Sequence, residues 1–284
     1  MAIESNAMRF LALAKKDGVC FDRVLMFGRQ NLLVSPVTLK TFFDRHDAPT
    51  HSLMAVVKNG PQPPFAEPIF QALGAKEISS LDASTYQNAE FIHDMNLPIP
   101  DSLKNRFDVV YDGGSLEHVF TAPVALKNCM EMVKPDGRLL LHLPANNWFG
   151  HGFYQFSPDF FYSAFSGENG FEVERMILHR TGTRGHWYEV VDPRKSGTCE
   201  LLTSYPMMFL IRARKIRETE IFASAPQQSY YDVLWKETAG GGKTSVALRY
   251  AEWFKQLLPE AVRFQFFRRH NLTNRKCFKP VKKD

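Results

Sequence analysis

The chain has 284 residues, 44% hydrophobic and 13% aromatic, which is enough to bury a sizeable core as one large α/β domain or two smaller ones. Its net charge of +5 is uneven: residues 263–284 hold eight Lys or Arg against Asp284 alone, and the rest of the chain sums to −2. No apolar run reaches the roughly 18 residues of a membrane span. The start lacks a signal-peptide pattern, and Cys20, Cys129, Cys199 and Cys277 show no Cys-x-x-Cys spacing, so a cytoplasmic globular protein with no metal site and no disulfide framework is expected.

Residues 5–17 have the apolar spacing of a helix, and Arg23–Phe27 reads as a strand ended by Gly28. Residues 31–64 are harder to place. Ser35-Pro36 is a helix start, Val37–Phe43 keeps helical spacing, and Asn59-Gly-Pro-Gln-Pro-Pro64 is a loop. Phe65–Leu73 is a short helix stopped at Gly74. Glu77–Asp82 and Glu90–Asp94 are strands.

The densest stretch follows, Phe107-Asp-Val-Val-Tyr-Asp-Gly-Gly-Ser-Leu-Glu-His118. Asp108–Tyr111 is a buried strand by its β-branched and aromatic side chains, Asp112-Gly-Gly is a turn, and a helix is predicted from Ser115 to Met132. After the turn Lys134-Pro-Asp-Gly137, a second buried strand, Arg138–Leu143, completes a βαβ unit. A loop rich in glycine and aromatics, 144–158, leads to a helix at Asp159–Phe165 and to strands at Phe171–His179 and Met207–Ile216, with 181–203 as a polar surface excursion. From 217 the rhythm stops; Thr244–Leu258 is an amphipathic helix, and the chain from Gln265 is a basic tail, poorly ordered at its end.

In open α/β sheets the ligand crevice lies outside the carboxyl ends of the strands, so Asp112, Glu117 and His118 should line a site. Together with Leu81-Asp82, His93-Asp-Met-Asn96 and Val133-Lys-Pro-Asp-Gly-Arg-Leu-Leu-Leu141, this stretch resembles the class I S-adenosylmethionine-dependent methyltransferases, over roughly residues 20–215. The resemblance implies a Rossmann-like seven-stranded sheet with helices on both faces over residues 1–216, carrying an insertion at 31–64. Residues 217–284 would be a helical C-terminal extension ending in the basic tail.

It also implies S-adenosylmethionine as cofactor. Asp82, with Ala83 beside it, matches the acid that accepts both ribose hydroxyls, a role an acid takes at the same place in dinucleotide folds. Asp94, with the neighbouring Met95 and Asn96, matches the position that holds the adenine amino group; Asn96 either assists or shapes the turn. Asp112 and Gly113 bring the backbone close to the cofactor. Glu117 is either a cofactor contact or a first-turn helix acid. The usual acid and alternating glycines after the first strand are replaced by Met26-Phe-Gly-Arg-Gln-Asn31, in which Gly28 alone is kept. Arg29 and Gln30 are expected to compensate, since a guanidinium can hold a carboxylate bidentately.

Methyl transfer from a sulfonium is an in-line displacement, so alignment carries most of the catalysis. A base is needed for a hydroxyl or a protonated amine. His118 is the first candidate for base or acceptor orienter, against a role in capping or packing. His151, with Asn146, Asn147, Trp148, Tyr154 and Gln155, is placed in the acceptor lid or in a structural loop. His142 is expected to be a core histidine.

The expected function is O- or N-methylation of a small-molecule or saccharide-type acceptor; the alternative is a catalytically silent methyltransferase-fold binding or scaffold protein. Gly240-Gly-Gly-Lys-Thr244 resembles a phosphate-binding loop but lacks the first glycine and the preceding strand. Nucleic acid is not expected as a partner, since no amino-methylating Asp/Asn-Pro-Pro-aromatic run or Pro-Cys nucleophile is present. No membrane insertion is expected, and the sequence leaves room for a homo-oligomer.

Overall fold

A computed structural model of the protein describes residues 2–182, 186–197, 199, 201–232, 235, 257, 259 and 272–281. The chain opens with strand β1 (Ala2–Ile3) and helix α1 (Ser5–Lys16), whose first turn is capped by Glu4 through the Ala7 N–H. Strand β2 (Arg23–Phe27) is followed by β3 (Asn31–Leu32), α2 (Pro36–Arg45), α3 (Thr50–Asn59) and α4 (Glu67–Ala72). Next come β4 (Glu77–Asp82), β5 (Phe91–Ile92), β6 (Phe107–Asp112), α5 (Ala122–Met132), β7 (Val133–Asn146) and α6 (Pro158–Ala164). The described chain closes with β8 (Phe171–Arg180), β9 (Trp187–Val190), α7 (Pro193–Ser196), β10 (Met207–Lys215) and β11 (Phe278–Pro280).

The described strands form a nine-stranded sheet in the order β11-β9-β8-β10-β7-β6-β2-β4-β5, and β1 pairs with β3 in a separate two-stranded sheet. From β7 to β5 the pairing is parallel, and the chain order of those five strands across the sheet is that of doubly wound nucleotide-binding folds, with the switch point between β2 and β6. β10 then runs antiparallel between β7 and β8.

Strand alternation divides the core between two faces. β2 sends Leu25 and Phe27 to the α5 face, where Leu126, Cys129 and Met130 of that helix pack. It sends Val24 and Met26 to the other face, against Phe10, Leu11 and Ala14 of α1.

Several expectations are revised. The sheet has nine strands rather than seven, because Trp187–Val190, inside the supposed polar excursion, buries Trp187 and Val190 and pairs with β8. Within the basic segment after Gln265 a further strand joins this edge: β11 pairs with β9, and Cys277 and Phe278 are buried. The helix from Ser115 to Met132 is broken. Asp112 ties down the N–H groups of Gly114, Ser115 and Leu116, a single short turn covers Leu116–His118, and the regular helix restarts at Ala122. Lys134–Gly137 bulges within β7 instead of preceding it, with Asp136 at φ +65°. The insertion holds a second helix, α3, that the sequence did not reveal. The predicted helix Thr244–Leu258 and the Gly240–Thr244 turn lie outside the described residues.

Candidate functional site

The carboxyl ends of β2, β4, β5, β6 and β7 share one edge, and the sequence-predicted residues gather along it in three groups. The first is the turn after β2. Gly28 takes φ +68°, which glycine accepts without strain, and its N–H donates to the Leu81 carbonyl at 2.7 Å. Gln30 turns inward and is fully buried. Its amide donates to the carbonyls of Phe27 (2.8 Å) and Gly28 (3.1 Å), and the Ser115 hydroxyl donates to the same Phe27 carbonyl at 2.5 Å. A Cβ on Gly113 would lie 2.4 Å from Gln30 Oε1, so Gly113 is required by the amide that fills the crevice. Arg29 is held elsewhere: Nε lies 2.6 Å from Glu67, Nη1 donates to Gln87 O at 2.9 Å, and the guanidinium stacks over Phe65. A contact from Arg29 or Gln30 to a cofactor carboxylate would require these bonds to be exchanged.

The second group is the acidic pair. Asp82 ends β4 half-buried; Oδ1 accepts the Ser84 N–H at 3.3 Å, and among the described residues Oδ2 has no partner. Asp94 is exposed, and one of its oxygens takes both the backbone and side-chain N–H of Asn96, which hold its carboxyl below the usual range. The Asn96 side-chain Oδ1 accepts from the N–H and hydroxyl of Thr121 at the start of α5. Ala83 is exposed, and Met95 is buried beneath the turn. Asn96 therefore shapes the turn and leaves Asp94 with a second oxygen facing outward.

The third group surrounds Glu117. This residue is 1% exposed; Oε1 lies 3.4 Å from His151 Nε2 and 3.9 Å from His118 Nε2, and Oε2 has no hydrogen-bond partner among the described residues. Asp112 lies fully buried beside it. Burial raises both carboxyls, Glu117 to about 8 with the Asp112 charge adding to the rise, and Asp112 to about 6 against its three backbone N–H donors. The imidazoles of His118 and His151 are 45% and 46% exposed, with ring centroids 4.9 Å apart. Burial and the neighbouring His151 hold His118 below its ordinary value.

The two segments are locked together where the Phe153 N–H donates to the Glu117 carbonyl at 2.7 Å. A Cβ on Gly152 would lie 2.7 Å from that same oxygen. This third group brings Asp112, Glu117, His118 and His151 together.

The loop residues divide in role. Asn146 and Asn147 donate to Leu201, Thr203 and Tyr205, fastening the end of β7 to the segment before β10. Trp148 meets His151 at a tilt with ring centroids 5.0 Å apart, donates through its indole N–H to Met207 O, and donates its backbone N–H to Gln155 Oε1. Tyr154 donates its hydroxyl to Phe120 O at 2.5 Å. Sequence reasoning missed the apolar rim: Phe120 and Phe153 meet edge-to-face at 5.6 Å, and Phe149 is 98% exposed. For Phe149 and Phe153 the signal was the aromatic density of the 144–158 loop; Phe120, just before α5, carried none. His142 is buried as expected, its Nε2 3.1 Å from that of His179.

No family model matches the sequence, and no curated protein matches it. Among solved structures the chain is similar to the MccD protein at 11% identity, covering 74% of this chain and 97% of that one with TM-score 0.42. It is similar to a candidate methyltransferase of Bacillus halodurans at 12% identity, covering 75% and 100%, TM-score 0.41. It is also similar to a branched-chain polyamine synthase mutein of Thermus thermophilus, in complex with N4-aminopropylspermidine and 5'-methylthioadenosine, at 13% identity and TM-score 0.39. That match covers 77% of this chain and 57% of the synthase, so the chain spans less than two thirds of that relative. The strand order itself is that of a doubly wound α/β sheet, extended beyond β7 by β10, β8, β9 and β11.

Proposed function

We propose that the protein is an S-adenosylmethionine-dependent methyltransferase acting at oxygen or nitrogen of a small-molecule or saccharide-type acceptor. The observation that carries this reading is the sharing of one sheet edge by Asp82, Asp94 and the Asp112–His118 turn, beside the β2–β6 switch point. The donor set fits the cofactor at its nucleoside end, since Asp82 and Asp94 each keep an oxygen without a partner among the described residues. It fits less well at the amino-acid end, where Arg29 is paired with Glu67. When bound, the cofactor would supply a methyl group on a sulfonium sulfur.

Asp82 would accept the ribose hydroxyls and Asp94 the adenine amino group. His118 and His151 would orient the acceptor and take its proton at Nε2. Phe120, Phe149 and Phe153 would hold the apolar part of the acceptor and keep water from it.

The test is a thermal-shift titration with S-adenosylmethionine and S-adenosylhomocysteine, with NAD as control. Ligand at about 100 times its dissociation constant stabilises by roughly 2.7 kcal/mol, which moves the midpoint by a few degrees. Asp82→Ala is expected to weaken S-adenosylhomocysteine binding at least tenfold; unchanged affinity would remove the main support. The inward Gln30 and the paired Arg29 favour a second reading, a catalytically silent methyltransferase-fold binding protein. No shift with either sulfur nucleoside would select it.

A further inference from the structure

We propose that Glu117, His118 and His151 together hold one divalent transition-metal cation at the acceptor end of the crevice, with its open coordination positions turned to solvent. The three side chains offer one carboxylate and two imidazole donors, all within 4.8 Å of one another. Donors bound to one tetrahedral ion at about 2.0–2.2 Å stand about 3.3–3.6 Å apart. The His151–Glu117 separation of 3.4 Å already meets that spacing, and the His118–Glu117 separation of 3.9 Å needs a small side-chain adjustment. Two histidines and a carboxylate on one side of an ion, with the other side open, is a ligand set used by catalytic zinc and non-haem iron sites.

Charge supports the same placement. Asp112 and Glu117 are both buried, and among the described residues neither forms an ion pair with Lys or Arg; Glu117 faces the imidazoles of His118 and His151. Beside the Oε1 that faces the imidazoles, Glu117 Oε2 is buried with no hydrogen-bond partner among the described residues, a costly state for a carboxylate that a cation bound to the group would relieve. The site is also accessible, because each imidazole is nearly half exposed. Its geometry is held by the backbone, since the Phe153 N–H and the close approach of Gly152 fix the His151 loop onto Glu117.

The cation site stands on these residues alone. The acceptor class it implies rests on the methyltransferase reading: an oxygen chelator, with the methylated hydroxyl beside a second oxygen. With the cation in place, His118 and His151 serve as its ligands, and the expectation of no metal in the chain gives way.

The test uses the full chain, stripped with a chelator, desalted and titrated with Mn(II) while free Mn(II) is read by electron paramagnetic resonance. One site is expected in the wild type. Its affinity should fall at least tenfold in Glu117→Gln and in His151→Asn. It should not change in His179→Gln, which alters a second buried cluster, Glu4, His142 and His179, on the α1 face. His151 is exposed enough that its variant should fold, as circular dichroism will verify, and Co(II) should give a ligand-field band in the wild type that His151→Asn loses.

Absence of binding to millimolar Mn(II), equal binding in wild type and both site variants, or loss confined to His179→Gln would each overturn the proposal. A nucleoside shift without a Mn(II) site would overturn the cation and leave the methyltransferase reading standing. A Mn(II) site without a nucleoside shift would do the reverse.

Discussion

Gly113→Ala tests whether Gln30 is a fixed part of the β2–β6 crevice. The new methyl group would stand 2.4 Å from Gln30 Oε1, 3.0 Å from its Cδ and 3.0 Å from Tyr111 Cε1. Gly113 does not have a positive φ, so alanine meets no backbone penalty there and the cost is one of space. Overpacking of this kind costs about 1–3 kcal/mol. If the Gln30 amide moves to relieve the clash, its bonds to Phe27 O and Gly28 O go as well, at about 1 kcal/mol each.

Urea unfolding of Gly113→Ala should therefore show a loss of about 2–4 kcal/mol. Gln30→Ala alone should cost about 1–3 kcal/mol by leaving a cavity and weakening the hold on the Phe27 carbonyl. The double variant should be more stable than the two losses added together by more than 1 kcal/mol, since alanine at 30 makes room for alanine at 113. Additivity within about 0.5 kcal/mol would refute the reasoning, because it would mean that the two side chains do not compete for the same space. S-adenosylhomocysteine titration of Gln30→Ala adds a functional readout, and tighter binding would identify the amide as an obstruction in the crevice.

Two predictions concern the core. Phe161 is fully buried among Phe156, Phe160, Phe165 and Phe209, and Phe161→Ala should cost about 3–5 kcal/mol in urea unfolding; a loss under about 1 kcal/mol would mean the cluster collapses freely. Burial holds His142 well below the ordinary imidazole value, with His179 adding to the effect, and burial also lowers His179 against the opposing pull of Glu4. The unfolded chain then takes up protons below about pH 6.5 that the folded chain refuses, so stability falls as pH drops, by up to about 1.4 kcal/mol per pH unit for each histidine. His179→Gln should flatten this acid slope, and equal slopes in variant and wild type would show that the pair titrates normally.

The parallel half of the fold was legible because its information is local. Glu77–Asp82 and Arg23–Phe27 match β4 and β2 residue for residue, since apolar strands bounded by polar turns carry their own signal. β9 and β11 were not legible. Their pairing joins segments some 90 residues apart, and neither Trp187–Val190 nor Phe278–Pro280 alternates over enough residues to announce a strand. The break before α5 was hidden for a different reason: Leu116-Glu-His118 has helical composition, and only the three N–H groups captured by Asp112 turn it aside.

The same distinction governs the site. Which residues would stand at the carboxyl edge followed from strand order, so Asp82, Asp94, Asp112, Glu117 and His118 could be placed from sequence. What each side chain binds depends on neighbours far along the chain. Arg29 was read as free to meet a carboxylate, yet Glu67, 38 residues on, lies 2.6 Å from it. Gln30 was read as facing the cofactor, yet the missing Cβ of Gly113 opens a space that its amide fills from below. A glycine-poor first turn therefore does not leave a bulky surface in the crevice. It is accommodated by Gly113, the residue just after β6, and the crevice floor is built jointly by the turns that follow β2 and β6, which is why the Gly113–Gln30 pair is the place where the methyltransferase and silent readings separate most directly.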